Sequence, residues 1–228
     1  MPLRKFILGS MLLCFYVIVS AVAAVAIPTI ESQVITERMP ERYSIEVSVP
    51  LIKGLKNTAI QNKVNSAIKK ALMNEIASFK KEEKAKTISI ESCLAIDNSV
   101  VGISSKYVSL YCSVMYFVAG AHPSHWIIPF NYNLETGKTI QLRDLFRGKK
   151  NYLQSLVSLS KQKLVEQEIK TDEWVNRGIQ PNDKSFQYFT FNQEKLRIIF
   201  GEYQICAYVS GMPDVEITWN ELGVKFPY

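Results

Sequence analysis

Histidine is nearly absent from this chain, with two in 228 residues, His122 and His125. A zinc site needs three or four ligands with hydrogen-bond partners behind them, so no metal centre and no other cofactor is expected. Cysteine is scarce as well: four residues, of which Cys14 lies in an apolar leader. The remaining Cys93, Cys112 and Cys206 are odd in number. A Cys93–Cys112 bridge is tempting across a hairpin folded near Gly102. Alternation of the preceding strand, however, points Cys93 to the opposite face from Cys112, and directly opposed residues share a face. A bulge would be needed to pair them. Buried free thiols acting as small hydrophobes are the simpler expectation, and the disulfide question stays open at this point.

Long runs of one charge are missing too. Net charge is +6, and the densest cluster, KKEEKAK at 80–86, mixes signs. A nucleic-acid partner would want a dense basic stripe, so none is expected. There is no glycine-rich phosphate loop, no Cys-x-x-Cys pair, no internal repeat and no low-complexity tract. Ser124 beside His125 is not a nucleophile–base pair, because neighbours on a strand point to opposite faces. Glu135, Asp144, Glu202, Asp214 and Glu221 all fall at turns or strand ends, where solvated acids are ordinary. The expectation is a protein without a catalytic constellation.

What is present begins with the leader. Arg4 and Lys5 precede an apolar run at 6–19 and a small-residue tail at 20–26, the pattern of a secretory signal peptide over 1–26. Residues 6–27 are also just long enough to span a bilayer, so the alternative is an uncleaved inner-membrane anchor. That segment is the one expected membrane contact. Either way the bulk is exported, to the periplasm or the exterior.

Residues 27–42 hold Pro28 and Pro40, show no sustained period, and read as a linker. Alternating apolar and polar residues predict strands over 43–49, 87–97, 107–118 and 126–134, with a hairpin turn at 135–137 and a short return strand at 139–142. Thr58 with Gln61 three residues on is a capping-box start for an amphipathic helix to about residue 81. A short helical turn is expected at 142–146, a second amphipathic helix over 152–168, a loop over 171–183, and strands over 185–191, 196–200 and 215–219. Strands and helices in separate runs argue for the α+β class: antiparallel or mixed sheets with two amphipathic helices packed on them, after an N-terminal export segment. The domains read as an N-terminal α+β module, 43–121, and a C-terminal domain, 122–228.

Two stretches attract a binding role. One is the break at Gly120 and His122; the other is the aromatic, glycine-broken segment carrying Tyr203, Tyr208 and Gly211. Exposed aromatics on such a loop suit protein or glycan contact. The competing reading packs both tyrosines over the sheet edge beside the Gly120–His122 break. For His122 the plain alternative is a turn residue bonding local backbone next to Pro123.

The order of motifs supports a resemblance. GAH at 120–122, FNYNLETG at 130–137, LRDLF at 142–146, YQICAYVSG at 203–211 and VEITWNEL at 215–222 together resemble the C-terminal domain family named for RsiV, a lysozyme-sensing anti-sigma factor, over about 126–222. VPLIKGLKN at 49–57 with the helix after it looks like the companion module at the front of PdaC-type peptidoglycan deacetylases. The resemblance implies a non-catalytic binding or sensing module of the bacterial envelope, with a lysozyme-like protein or peptidoglycan as partner. The alternative is an envelope enzyme or accessory protein acting on peptidoglycan through His122 and nearby carboxylates such as Asp144. There are departures. Family members commonly show Tyr-Glu-(Ile/Val)-Ala-Pro-Tyr, where this chain has Gln204 for the acid and Ala207 for the proline. About five residues precede the apolar run, too few to hold a sigma factor, and the deacetylase catalytic domain is not expected here.

Overall fold

The computed structural model describes residues 27–228. The leader at 1–26, with Cys14 and the choice between signal peptide and anchor, lies outside the described residues. Among the described residues, no helix is long and apolar enough to cross a membrane. The described residues form two sheets and three α-helices, an α+β arrangement as expected.

Strand β1 (Thr29–Met39) pairs antiparallel with β2 (Tyr43–Lys53) along its whole length. Residues 27–42 are therefore not a linker: a strand fills most of them. Its side chains are largely exposed on both faces, so no alternation of polarity marks it in the sequence. Strand β2 buries Tyr43, Ile45, Val47 and Val49 on one face. It runs through Pro50, past its expected end. Strand β3 pairs with β2 only as far as Val47, and a proline is tolerated where a strand lacks a second neighbour.

Helix α1 (Thr58–Ala85) covers the buried face with Val64, Ile68, Leu72, Ile76 and Phe79 at helical spacing. Its cap is Asn57, whose side chain accepts from the Ile60 amide at 3.2 Å, not the expected Thr58. Gln61 accepts from the Leu55 amide at 2.9 Å, tying the incoming loop to the first turn. One turn on, Asn65 both accepts from and donates to the backbone of Ile52, at 2.8 and 2.9 Å, which satisfies the free end of β2. At the other end Glu83, almost fully buried, receives Arg42 Nε and Nη2 at 3.2 and 2.7 Å, with Lys86 at 3.7 Å. That ion pair pins the helix end to the β1–β2 turn.

The chain then enters β3 (Ser92–Ile103), parallel to β2. The β2–α1–β3 crossover is a βα alternation that the sequence reading lacked. Strand β3 starts later than expected, because Ile88 and Ile90 are exposed and precede it. Strands β4 (Tyr107–Phe117), β5 (Ser124–Asn133) and β6 (Lys138–Thr139) complete a six-stranded sheet in chain order. Cys93 lies opposite Phe117 and Cys112 opposite Asn98, so no bridge joins them. Cys93, Cys112 and Cys206 are free thiols.

Helix α2 (Tyr152–Glu166) buries Leu156, Ser160 and Leu164. The expected loop over 171–183 contains α3 (Glu173–Gly178), capped by Asp172 on the Val175 amide at 3.1 Å. Strands β7 (Phe189–Phe191), β8 (Lys195–Ile199) and β9 (Asp214–Thr218) form a second, antiparallel sheet. The strand expected from 185 is shorter, since Asp183–Phe186 makes a 3-10 turn first.

Each sheet has its own apolar core, and a buried polar joint links them. Ser109 Oγ on β4 donates to Asn131 Oδ1 on β5 at 2.6 Å and accepts from the Phe191 amide at 2.8 Å. Asn131 Nδ2 donates to the Phe189 carbonyl at 2.9 Å. Beside it, a Cβ on Gly102 would sit 2.6 Å from the Phe191 carbonyl oxygen, so the sheets approach too closely there for any side chain. The boundary expected between 121 and 122 falls between two paired strands, β4 and β5.

Candidate functional site

The two stretches singled out from the sequence meet in space. The His122 and Tyr208 rings stack with centroids 3.9 Å apart and planes 30° from parallel. Tyr203 Oη lies 3.3 Å from His122 Nε2, and the two tyrosine rings are 6.0 Å apart. His122 Nδ1 donates to the Pro123 carbonyl at 2.8 Å, which leaves Nε2 to accept from Tyr203. Tyr203 has a left-handed backbone, φ 58°. That conformation is uncommon for an aromatic residue, and it turns the ring outward, where it is half exposed. Trp174 on α3 holds this turn by donating Nε1–H to the Tyr203 carbonyl at 3.0 Å. Gly120 and Gly211 take part differently. A side chain added at either would meet nothing within 4 Å, so both shape the loops and neither lies against the rings.

Sequence reasoning missed the neighbour of this cluster. His125 Nδ1 donates to Glu202 Oε1 at 2.7 Å, with the carboxylate mostly buried. The pair borders an open cleft of about 460 Å³ lined by Trp126, Arg177, Lys184, Tyr188 and Tyr203 among others, within the size range of ligand sites. Three segments make it: the start of β5, the α3-to-β7 connection, and the 201–204 turn. Gln204 fastens the last two together. Its Nε2 donates to the carbonyls of Gly178 and Ser185, both at 3.0 Å, and its Oε1 accepts from the Gly201 amide at 2.9 Å. Gly178 is where α3 ends against this turn; a Cβ there would lie 2.0 Å from the Gln204 carbonyl oxygen.

The other acids noted from the sequence lie elsewhere. Asp144 accepts from the Gln141 amide at 2.8 Å, Asp214 takes the Arg197 fork at 2.7 and 3.0 Å, and Glu135 sits in the hairpin turn after β5. Glu221 accepts from the amide and hydroxyl of Thr218, both at 2.8 Å, and pairs with Lys163 at 2.8 Å. These contacts pull its carboxyl down to about 2. Only Glu202 of the five lines the cleft. Among the described residues, no three His, Cys, Asp or Glu side chains converge as a metal ion would need. Burial pushes the Cys112 thiol up to about 12 and raises Cys93 and Cys206 as well, which keeps them protonated and inert.

Two solved structures share this two-sheet α+β fold. One is a DUF3298 family member from Bacteroides fragilis NCTC 9343: TM-score 0.64 at 14% identity, covering 88% of this chain and 94% of that one. The other is a DUF3298 family protein from Pseudomonas aeruginosa PAO1: TM-score 0.59 at 12% identity, covering 86% and 92%. At the level of sequence, residues 143–220 match the family described as "Protein of unknown function (DUF3298)". Residues 37–125 match the family described as "Deacetylase PdaC". Among curated proteins, the peptidoglycan-N-acetylmuramic acid deacetylase PdaC of Bacillus subtilis (strain 168) is 22% identical over 180 residues. The alignment takes in 77% of this chain and 37% of that protein's length.

Proposed function

We propose that this chain is an exported protein of the bacterial cell envelope that binds a cell-wall component without transforming it. The observation that carries the reading is the aromatic cluster of His122, Tyr203 and Tyr208 beside an open, mixed polar and aromatic cleft. Such surfaces suit sugar rings, whose apolar faces stack on aromatic side chains while hydroxyls meet polar groups. The likeness to a peptidoglycan deacetylase supports the wall as the place of action, and the secretory pattern of the leader supports export. A lysozyme-like muramidase is the protein partner that the RsiV-type resemblance implies, and it is tested in parallel.

The experiment is sedimentation of the 27–228 protein with purified peptidoglycan sacculi and, separately, with immobilised lysozyme. Retention on sacculi that falls roughly tenfold in a Tyr203→Ala, Tyr208→Ala double variant supports the reading, by the usual weight of aromatic anchors. Retention by lysozyme alone would replace the wall with a protein ligand. A second reading, an envelope enzyme, rests on the His125–Glu202 pair, since a histidine oriented by a carboxylate is the base half of many hydrolytic sites. Release of wall fragments or acetate that stops in His125→Gln would establish it in place of the first.

A further inference from the structure

The rim of the large sheet is open along β1. Among the described residues this strand has one neighbour, β2, so a row of its backbone N–H and C=O groups points away from the molecule. Such edges are ordinarily blunted by short length, a proline, a bulge or a free lysine. Strand β1 has none of these. It is 11 residues long, TIESQVITERM, and its register with β2 is unbroken from Thr29 to Met39. Its three charges are taken up within the chain: Glu31 by Lys53 at 3.6 Å, Glu37 by Lys80 and the Tyr43 hydroxyl, both at 2.6 Å, and Arg38 by Glu91 at 3.9 Å. Val34, at the middle, is 57% exposed. The opposite rim, β6, is only two residues long.

We propose that β1 pairs antiparallel with β1 of a second copy of this chain, about a two-fold axis through the sheet, joining two six-stranded sheets edge to edge. A second copy suits this edge because β1 is self-complementary about its centre. Opposed residues on antiparallel strands share a face. An axis at Val34 would set Glu31 against Glu37 of the second copy, and like charges directly opposed destabilise a pair. An axis at Ile35 sets Glu37 against Gln33, Arg38 against Ser32 and Val34 against Thr36. That register gives the carboxylate an amide donor, the guanidinium a hydroxyl acceptor and the exposed valine a β-branched neighbour. The axis also keeps like faces of the two copies on the same side. The pair therefore presents two clefts, each beside its own β5, roughly 40 Å apart along the sheet. Two sites on one rigid body hold an extended polymer more firmly than either alone.

Sedimentation velocity of the 27–228 protein over roughly 1 to 300 µM tests this, since one strand pair is a small interface and a micromolar dimer is expected. Val34→Lys places two lysines as diagonal neighbours across the axis and should weaken the dimer roughly tenfold or more. Val165→Lys, at a valine equally exposed on α2, should leave it unchanged. Hydrogen exchange locates the contact: amides of 29–39 should slow as concentration rises, and should not do so in Val34→Lys. A monomer at every concentration, a dimer indifferent to Val34→Lys, or slowing confined to other segments overturns the pairing. Unchanged thermal unfolding of dilute Val34→Lys shows that the fold survives the substitution. None of these readouts involves a ligand of the cleft, so the pairing and the wall-binding reading fail independently.

Discussion

At the scale of single residues, Gln204 is the informative position of the 201–204 turn. Its amide nitrogen serves two backbone carbonyls and its oxygen serves one amide, a division of labour that a carboxylate lacks, having no donor. Gln204→Glu sets a negative charge against the Gly178 and Ser185 carbonyl oxygens. Loss of about 2 kcal/mol is expected, from two unmade bonds and the repulsion, read as a lower urea midpoint, with a smaller loss at pH 4 where the acid is protonated. The tyrosines and His122 could be singled out because aromatics beside glycines stand out in a sequence, and the structure brings them together. The pairing of His125 with Glu202 was not legible. The two are 77 residues apart, neither has a local spacing partner, and only the return of the 201–204 turn over β5 brings them together.

At the scale of elements, regularity decided what could be read. Strand β2 over 43–49 and helix α1 each bury one face, and β4 keeps its aliphatic residues on one face although Ser109 on the other is buried too, so polarity alternates with a period set by the backbone. Strand β1 buries almost nothing and α3 is six residues long, so neither leaves a periodic trace. The parallel β2–β3 pairing escaped notice because a single crossover looks, in sequence, like one helix between hairpins. What holds that crossover is the corner where Arg42 meets Glu83. Arg42→Ala strips the nearly buried acid of its bidentate partner, and Lys86 at 3.7 Å only partly replaces it. The expected cost is about 3 kcal/mol. Hydrogen exchange should show it first in the last turns of α1, whereas Lys53→Ala, an exposed pair with Glu31 at 3.6 Å, should change little.

At the scale of the whole molecule, the C-terminal turn is fastened to α2 through Glu221, and this makes stability depend on pH. Its carboxyl is held at about 2, below an ordinary value of 4.5, by the Lys163 ammonium and the Thr218 donors. A group depressed on folding contributes fully above its unfolded value and loses that contribution as pH falls through the folded one. Unfolding midpoints should therefore drop between pH 4.5 and pH 2. In Glu221→Gln the drop over that window should be shallower, with lower stability at pH 7, where the wild-type pair is intact. Identical slopes for both proteins would show that the Lys163–Glu221 contact contributes nothing.

The rank of the strands has a practical corollary. The chain enters its large sheet at β1, on the rim, while the cleft opens beside β5, four strands further in. At the usual spacing of neighbouring strands that is about 19 Å. A bead, a surface or a fluorescent label fixed ahead of Ile27 would thus leave the cleft accessible, whereas one hung on the 203–211 turn would block it.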